Sequence, residues 1–126
     1  MARTPSPNLT DAELRLMEVL WKKHPASVSE VIERLPADVS LAYSTVITTL
    51  RILESKGYVR HQKEGRAFLY EPLVEREQAS QNAVGHLLRR FFEGSPERLF
   101  LSLLKAKKIS AKELRRLRQL IEKGGE

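Results

Sequence analysis

The chain has 126 residues, with 22 Lys plus Arg against 16 Asp plus Glu for a formal net charge of +6, and no cysteine. That length suits one domain or two very small ones, and 41% hydrophobic with 30% charged residues describes an ordinary globular chain, neither disordered nor fibrous. The missing cysteines exclude a disulfide framework, a thiolate metal site and a cysteine nucleophile.

Residues 1–8 read as a flexible tail without the apolar run of a signal peptide. The longest uncharged stretch, Val39 to Leu50, is too short and too rich in Ser and Thr to span a bilayer, so a cytoplasmic protein is expected. Thr10 followed by Glu13 is a capping box, in which hydroxyl and carboxylate each satisfy an orphan backbone donor. It predicts a first helix to about Lys23 with Leu14, Met17, Leu20 and Trp21 inward, ended by Pro25. Ser27 with Glu30 opens a second, short helix that buries Val28, Val31, Ile32 and Leu35 and closes at Pro36. Ser40 is expected to cap a third helix reaching Lys56, with Ala42, Val46, Leu50 and Leu53 buried and Gly57 as the left-handed residue beyond its end. Two β-prone runs, Tyr58 to Gln62 and Ala67 to Tyr70, then flank a turn holding Gly65 and predict a hairpin stopped by Pro72. From about Val74 onward the pattern is helical. Gly94-Ser95-Pro96 supplies a stop, an N-cap and a first-turn proline, and Ser110 with Glu113 starts a last helix that ends at Gly124-Gly125.

Charge is unevenly spread. Residues 1–39 carry five basic and six acidic side chains, residues 40–66 five and two, and residues 76–126 twelve and six. Three helices and a hairpin, with a polar third helix and a cationic tip, follow the order of a winged helix-turn-helix. Such a helix fits a DNA major groove, where Ser, Thr and Arg reach base edges, while a wing reaches phosphates. Tyr43, Ser44, Thr45, Thr48 and Arg51 on the helix, with Lys63 and Arg66 on the wing, are the candidate DNA-binding residues. Arg51 is the leading candidate, able to make a bidentate contact to guanine or phosphate, against the plainer reading of a surface ion pair with Glu54. Tyr43 is placed near the buried edge of its helix, which leaves core packing and base contact both open.

Leu9-Thr10-Asp11-Ala12-Glu13 leading to Val19-Leu20-Trp21, then Ala42-Tyr43-Ser44-Thr45-Val46, then Gly65-Arg66-Ala67-Phe68-Leu69-Tyr70 with Pro72-Leu73-Val74, resemble the penicillinase and methicillin-resistance repressor family and its copper-responsive relatives. The resemblance covers roughly residues 9 to 123. It implies a dimeric transcriptional repressor that binds double-stranded DNA at an inverted-repeat operator through the winged helix and pairs through its C-terminal helices. The copper-responsive branch carries a cysteine-rich C-terminal metal motif that this chain lacks. In the β-lactam branch a protease cuts an Asn-Phe bond in the dimerisation region. The aligned position here is Ser102-Leu103, so a regulatory protease as partner, and the inducing signal, stay open.

The C-terminal half has its own argument for self-association. Val84, Leu87, Leu88, Phe91 and Phe92 recur at helical spacing, and Leu99, Phe100, Leu103 and Leu104, then Leu117 and Ile121, add more apolar surface than three helices of one chain can cover. Two-fold pairing is the natural cover. His24, His61 and His86 are too scattered for a metal site, and no nucleophile elbow, phosphate-cradling glycine loop or carboxylate pair is present, so neither a cofactor nor an enzyme is expected. The expected fold is therefore mainly α with a small β wing: a winged helix-turn-helix over residues 9–72 and a helical dimerisation region over 73–126. A winged helix that binds protein instead of DNA is the alternative, since the fold serves both and Ile47 and Ile52 lie beside the polar face.

Overall fold

A computed structural model describes residues 8–124, so the expected tail lies outside the described residues but for Asn8. In chain order the elements are α1 (Asp11–Lys22), α2 (Val28–Glu33), α3 (Tyr43–Ser55), β1 (Val59–Glu64), β2 (Ala67–Pro72), α4 (Arg76–Phe91), α5 (Pro96–Lys105) and α6 (Ala111–Glu122). All three capping boxes form. Thr10 and Glu13, Ser27 and Glu30, and Ser110 and Glu113 each exchange the reciprocal hydroxyl and carboxylate bonds, and Ser95 caps α5 ahead of Pro96. These bonds hold the Glu30 and Glu113 carboxyls below their ordinary range, the backbone N–H of the cap being the largest cause in each.

The chain's contacts divide into two compact units, one up to His86 and one from Leu87 onward. Among the described residues, every buried apolar one lies in the first. Leu16, Met17 and Leu20 of α1, Val28 and Val31 of α2, and Val46, Leu50 and Leu53 of α3 meet Tyr58, Val59 and Tyr70 of the hairpin region. This unit runs on past residue 72, because Val74 and Ala79 are also buried and the Trp21 indole Nε1 donates to the Val74 carbonyl at 2.8 Å.

The hairpin is antiparallel, with His61 opposite Tyr70 and Lys63 opposite Phe68. Gly65 and Arg66 form its two-residue connection, and Gly65 takes a φ of +62° that a side chain would strain. Ala26, between α1 and α2, exchanges backbone bonds with Tyr70 at 2.9 and 2.8 Å, which ties the base of the wing to the helices.

Several sequence expectations need correction. On α1 the expected Met17 and Leu20 are buried and Trp21 is half-buried against the core, but Leu14 is exposed and the buried face is completed by Glu13, Leu16 and Val19. Ser40 does not cap the third helix: Ala42 is the N-cap, with no side-chain bond, and α3 begins at Tyr43. Ala42 is consequently exposed, and the inward position is taken by Thr49, which satisfies its hydroxyl by donating to the Thr45 carbonyl at 2.7 Å. Tyr43 is 56% exposed and is not a core residue, because as the first residue of α3 it projects beyond the stripe that packs.

Candidate nucleic-acid interface

α3 is two-sided. Val46, Leu50 and Leu53 are sealed in the core, so the helix cannot roll, and Ser44, Thr48, Arg51 and Ser55 at four- and three-residue steps form one exposed face, with Thr45 exposed beside it. Lys56, just past the helix, fixes it lengthwise. Its ammonium donates to Glu13 Oε1 at 2.8 Å and to the Asn8 carbonyl at 3.0 Å, joining the end of α3 to the start of α1. Glu13 is only 4% exposed, so this is a nearly buried carboxylate with both a cap and a cation to satisfy it.

The wing is oriented by a second polar contact. Glu54 near the end of α3 holds His61 Nδ1 of β1 at 2.7 and 2.9 Å through its two oxygens. The imidazole lies edge-on to Phe68 at 5.1 Å and against Tyr70 at 5.5 Å, so helix and wing share one polar and aromatic junction. Burial pushes the Tyr70 hydroxyl above its ordinary value, with Glu54 acting in the same direction and Arg51 opposing it. One step nearer the base of the hairpin, Arg60 pairs across the strands with Glu71 at 2.5 Å.

Of the seven candidate DNA-binding residues, Tyr43, Ser44, Thr45, Thr48 and Arg51 stand exposed on α3, and Lys63 and Arg66 stand exposed at the wing tip. Glu54 is engaged with His61, so the surface ion pair weighed for Arg51 does not form. Among the described residues no carboxylate pairs with Arg51, Lys63 or Arg66. Ile47 is half-buried against the core, while Ile52 is exposed. The positioning residues Lys56, Glu13, Glu54 and His61 were missed by sequence reasoning. Glu13 carries a local signal, but that signal reports only its cap.

The second unit differs in kind. α5 and α6 contain no buried residue. Leu87, Phe91, Phe100, Leu117 and Ile121 are exposed, as is Val84 in the first unit, and Leu88, Phe92, Leu99, Leu103 and Leu104 are only half-buried. The Ser102-Leu103 bond lies inside α5, with the Ser102 carbonyl accepting from the Ala106 N–H at 3.0 Å.

Comparison with known proteins places this arrangement. A family model described as Penicillinase repressor matches residues 9–123. The Penicillinase repressor of Bacillus licheniformis is 33% identical over 116 residues, covering 92% of this chain and 91% of that protein. The methicillin resistance regulatory protein MecI of Staphylococcus aureus is 24% identical over 115 residues, covering 91% and 94%. Among solved structures, the solution structure of the DNA-binding domain of the repressor BlaI superposes with a TM-score of 0.52 at 36% identity, covering 60% of this chain and 93% of that one.

Proposed function

The chain belongs to the penicillinase repressor family of transcriptional repressors, and from that premise we propose that it acts as a homodimer on an inverted-repeat operator in double-stranded DNA. In this reading α3 enters the major groove. Ser44, Thr45, Thr48 and Arg51 read base edges, Tyr43 contacts the backbone near the helix start, and Lys63 and Arg66 hold phosphates from the wing.

The observation that carries the proposal is that Arg51, Lys63 and Arg66 pair with no carboxylate among the described residues and stand exposed with Ser44, Thr45 and Thr48, on a helix whose other side is locked by Val46, Leu50 and Leu53 and on the wing tip beside it. A guanidinium without an internal carboxylate keeps all its donors available to a planar acceptor pair. Pairing between copies rests on the other unit. Leu87 and Phe91 are exposed there at the end of α4, and Phe100, Leu117 and Ile121 on α5 and α6, which bury nothing of their own; a C2 dimer would cover them and set two α3 helices toward successive major grooves on one side of the duplex. Within that proposal the residues beyond about 73 serve dimerisation, and the helical Ser102-Leu103 bond needs local unwinding before any protease can cut it.

Binding measured against salt tests the reading. Affinity for an inverted-repeat duplex should fall steeply as salt rises, because phosphate contacts release counterions, and a scrambled duplex should bind far more weakly. A flat salt response, or equal affinity for scrambled DNA, would favour a protein partner instead, with the exposed Ile52 and Phe68 as its apolar contacts.

A further inference from the structure

On a part of the first unit that shares no residue with α3 or the wing, Arg15, Glu18, Val19 and Lys22 of α1 line a cleft of about 160 Å³ together with Arg34, Pro36 and Arg76. Its chemistry is one-sided. Four of these seven residues are cationic and only Glu18 is acidic. That carboxylate is loosely engaged with Arg76 at 3.8 Å, both side chains being about half exposed. Arg15 and Lys22, two turns of α1 apart, make no ion pair among the described residues.

Arg34 is the telling member. Its Nη2 reaches Glu30 Oε2 at 3.3 Å, but its Nη1 is sealed from solvent and has no hydrogen-bond partner. A guanidinium nitrogen in that state lacks the protein acceptor that buried donors in native proteins nearly always have, and a water or a bound oxyanion can supply one. Arg76 is held differently, with its guanidinium carbon 4.7 Å from the centre of the Trp21 ring, while its N–H edge meets, among the described residues, only the loose 3.8 Å contact of Glu18.

We propose that this cleft binds a small phosphate-class oxyanion, with Arg34 and Arg76 as the hydrogen-bonding pair and Arg15 and Lys22 supplying charge. A modest turn of the Arg34 guanidinium into the cleft gives Nη1 an anionic oxygen, and the volume suits a phosphate group with a short substituent. The site stands independently of the operator reading, because none of its residues belongs to the reading surface. The phosphate could be free in solution or belong to a DNA backbone, and the experiment separates the two sources.

The full chain is titrated with inorganic phosphate at constant ionic strength, with chloride as the control, by calorimetry and by the fluorescence of Trp21, the sole tryptophan. Saturable binding is expected with phosphate and not with chloride. Arg34→Gln should weaken it at least tenfold, and Arg15→Gln with Lys22→Gln, both at exposed positions of α1, should weaken it without disturbing the fold. Repeating the titration on the DNA-bound protein assigns the source. Retained phosphate binding supports a free anion, and its displacement supports the same site on a backbone phosphate. No saturable binding by either readout, or binding unchanged in both variants, overturns the proposal.

Discussion

The two units of this chain are built from similar helices and finish them in opposite ways. In the first, α1, α2 and α3 each put an apolar stripe into a shared interior that Ala79 of α4 joins, and Ser44, Thr45, Thr48 and Arg51 are left on the exposed side of α3. In the second, α6 has the same capping box as α1 and α2 and Ser95 caps α5, yet no residue of either helix is buried, and Ile121 is 75% exposed. Capping is local and needs no partner, whereas burial of an apolar stripe needs a facing surface. The first unit holds both halves of its packing within one chain. The second holds one half, and another copy is the proposed source of the other.

The sharpest way to break the comparison is to truncate a side chain in each unit. Leu50→Ala removes a fully buried side chain, so it should destabilise the first unit by about 2–5 kcal/mol, at a urea midpoint independent of protein concentration. Phe91→Ser should leave that midpoint nearly unchanged and instead yield monomers at micromolar concentration, read by sedimentation. If Phe91→Ser unfolds the first unit, or if the wild type is itself monomeric, the distinction between the units fails.

Within the first unit, Arg51 and Arg66 sharpen the contrast between a locked helix and a wing tip. Arg51→Ala should cost about 1–3 kcal/mol of operator binding and relax preference at one base pair. Arg66→Ala should weaken all sequences alike and reduce the salt slope by about one. Competition with singly altered operators measures both. Unchanged preference in Arg51→Ala would leave specificity to Ser44, Thr45 and Thr48.

What could be read from the sequence follows the same division between local and distant causes. The capping boxes, the Gly65 turn and the Gly57 stop are set by neighbours three or four residues apart, and all of them are in the fold. Leu14 was misplaced because α1 has apolar residues at Leu14, Leu16, Met17, Val19, Leu20 and Trp21, more than one face can hold, and its own periodicity does not say which edge the neighbouring elements cover. Ser40 was misassigned because a good cap residue lies two positions ahead of the real N-cap, Ala42, which has no side-chain cap bond to mark it in the sequence. The Glu13 to Lys56 contact spans 43 residues and the His61 to Glu54 contact is a chance of register in the wing, so neither leaves a pattern in sequence. The exposed polar face of α3 was legible for the converse reason: a polar stripe beside an apolar one is visible wherever the core lies.

The smallest effects concern the caps that both units share. Glu30 and Glu113 have folded values held below 4.5, so the stability they contribute is present above that value and is lost as pH falls through the lowered ones. Ser110→Ala should remove about 1 kcal/mol from α6 and blunt this acid response in the second unit, leaving that of Ser27 and Glu30 in place. Helicity followed by circular dichroism across an acid titration reads the difference.

The most direct test of dimeric operator binding through α3 is to select duplexes from random DNA with the full chain and weigh the resulting complexes by sedimentation. The account predicts inverted repeats whose half-sites lie about 10 bp or a multiple of that apart, with two chains on each duplex. Selected duplexes carrying a single half-site and one chain, or no shared sequence at all, would contradict it.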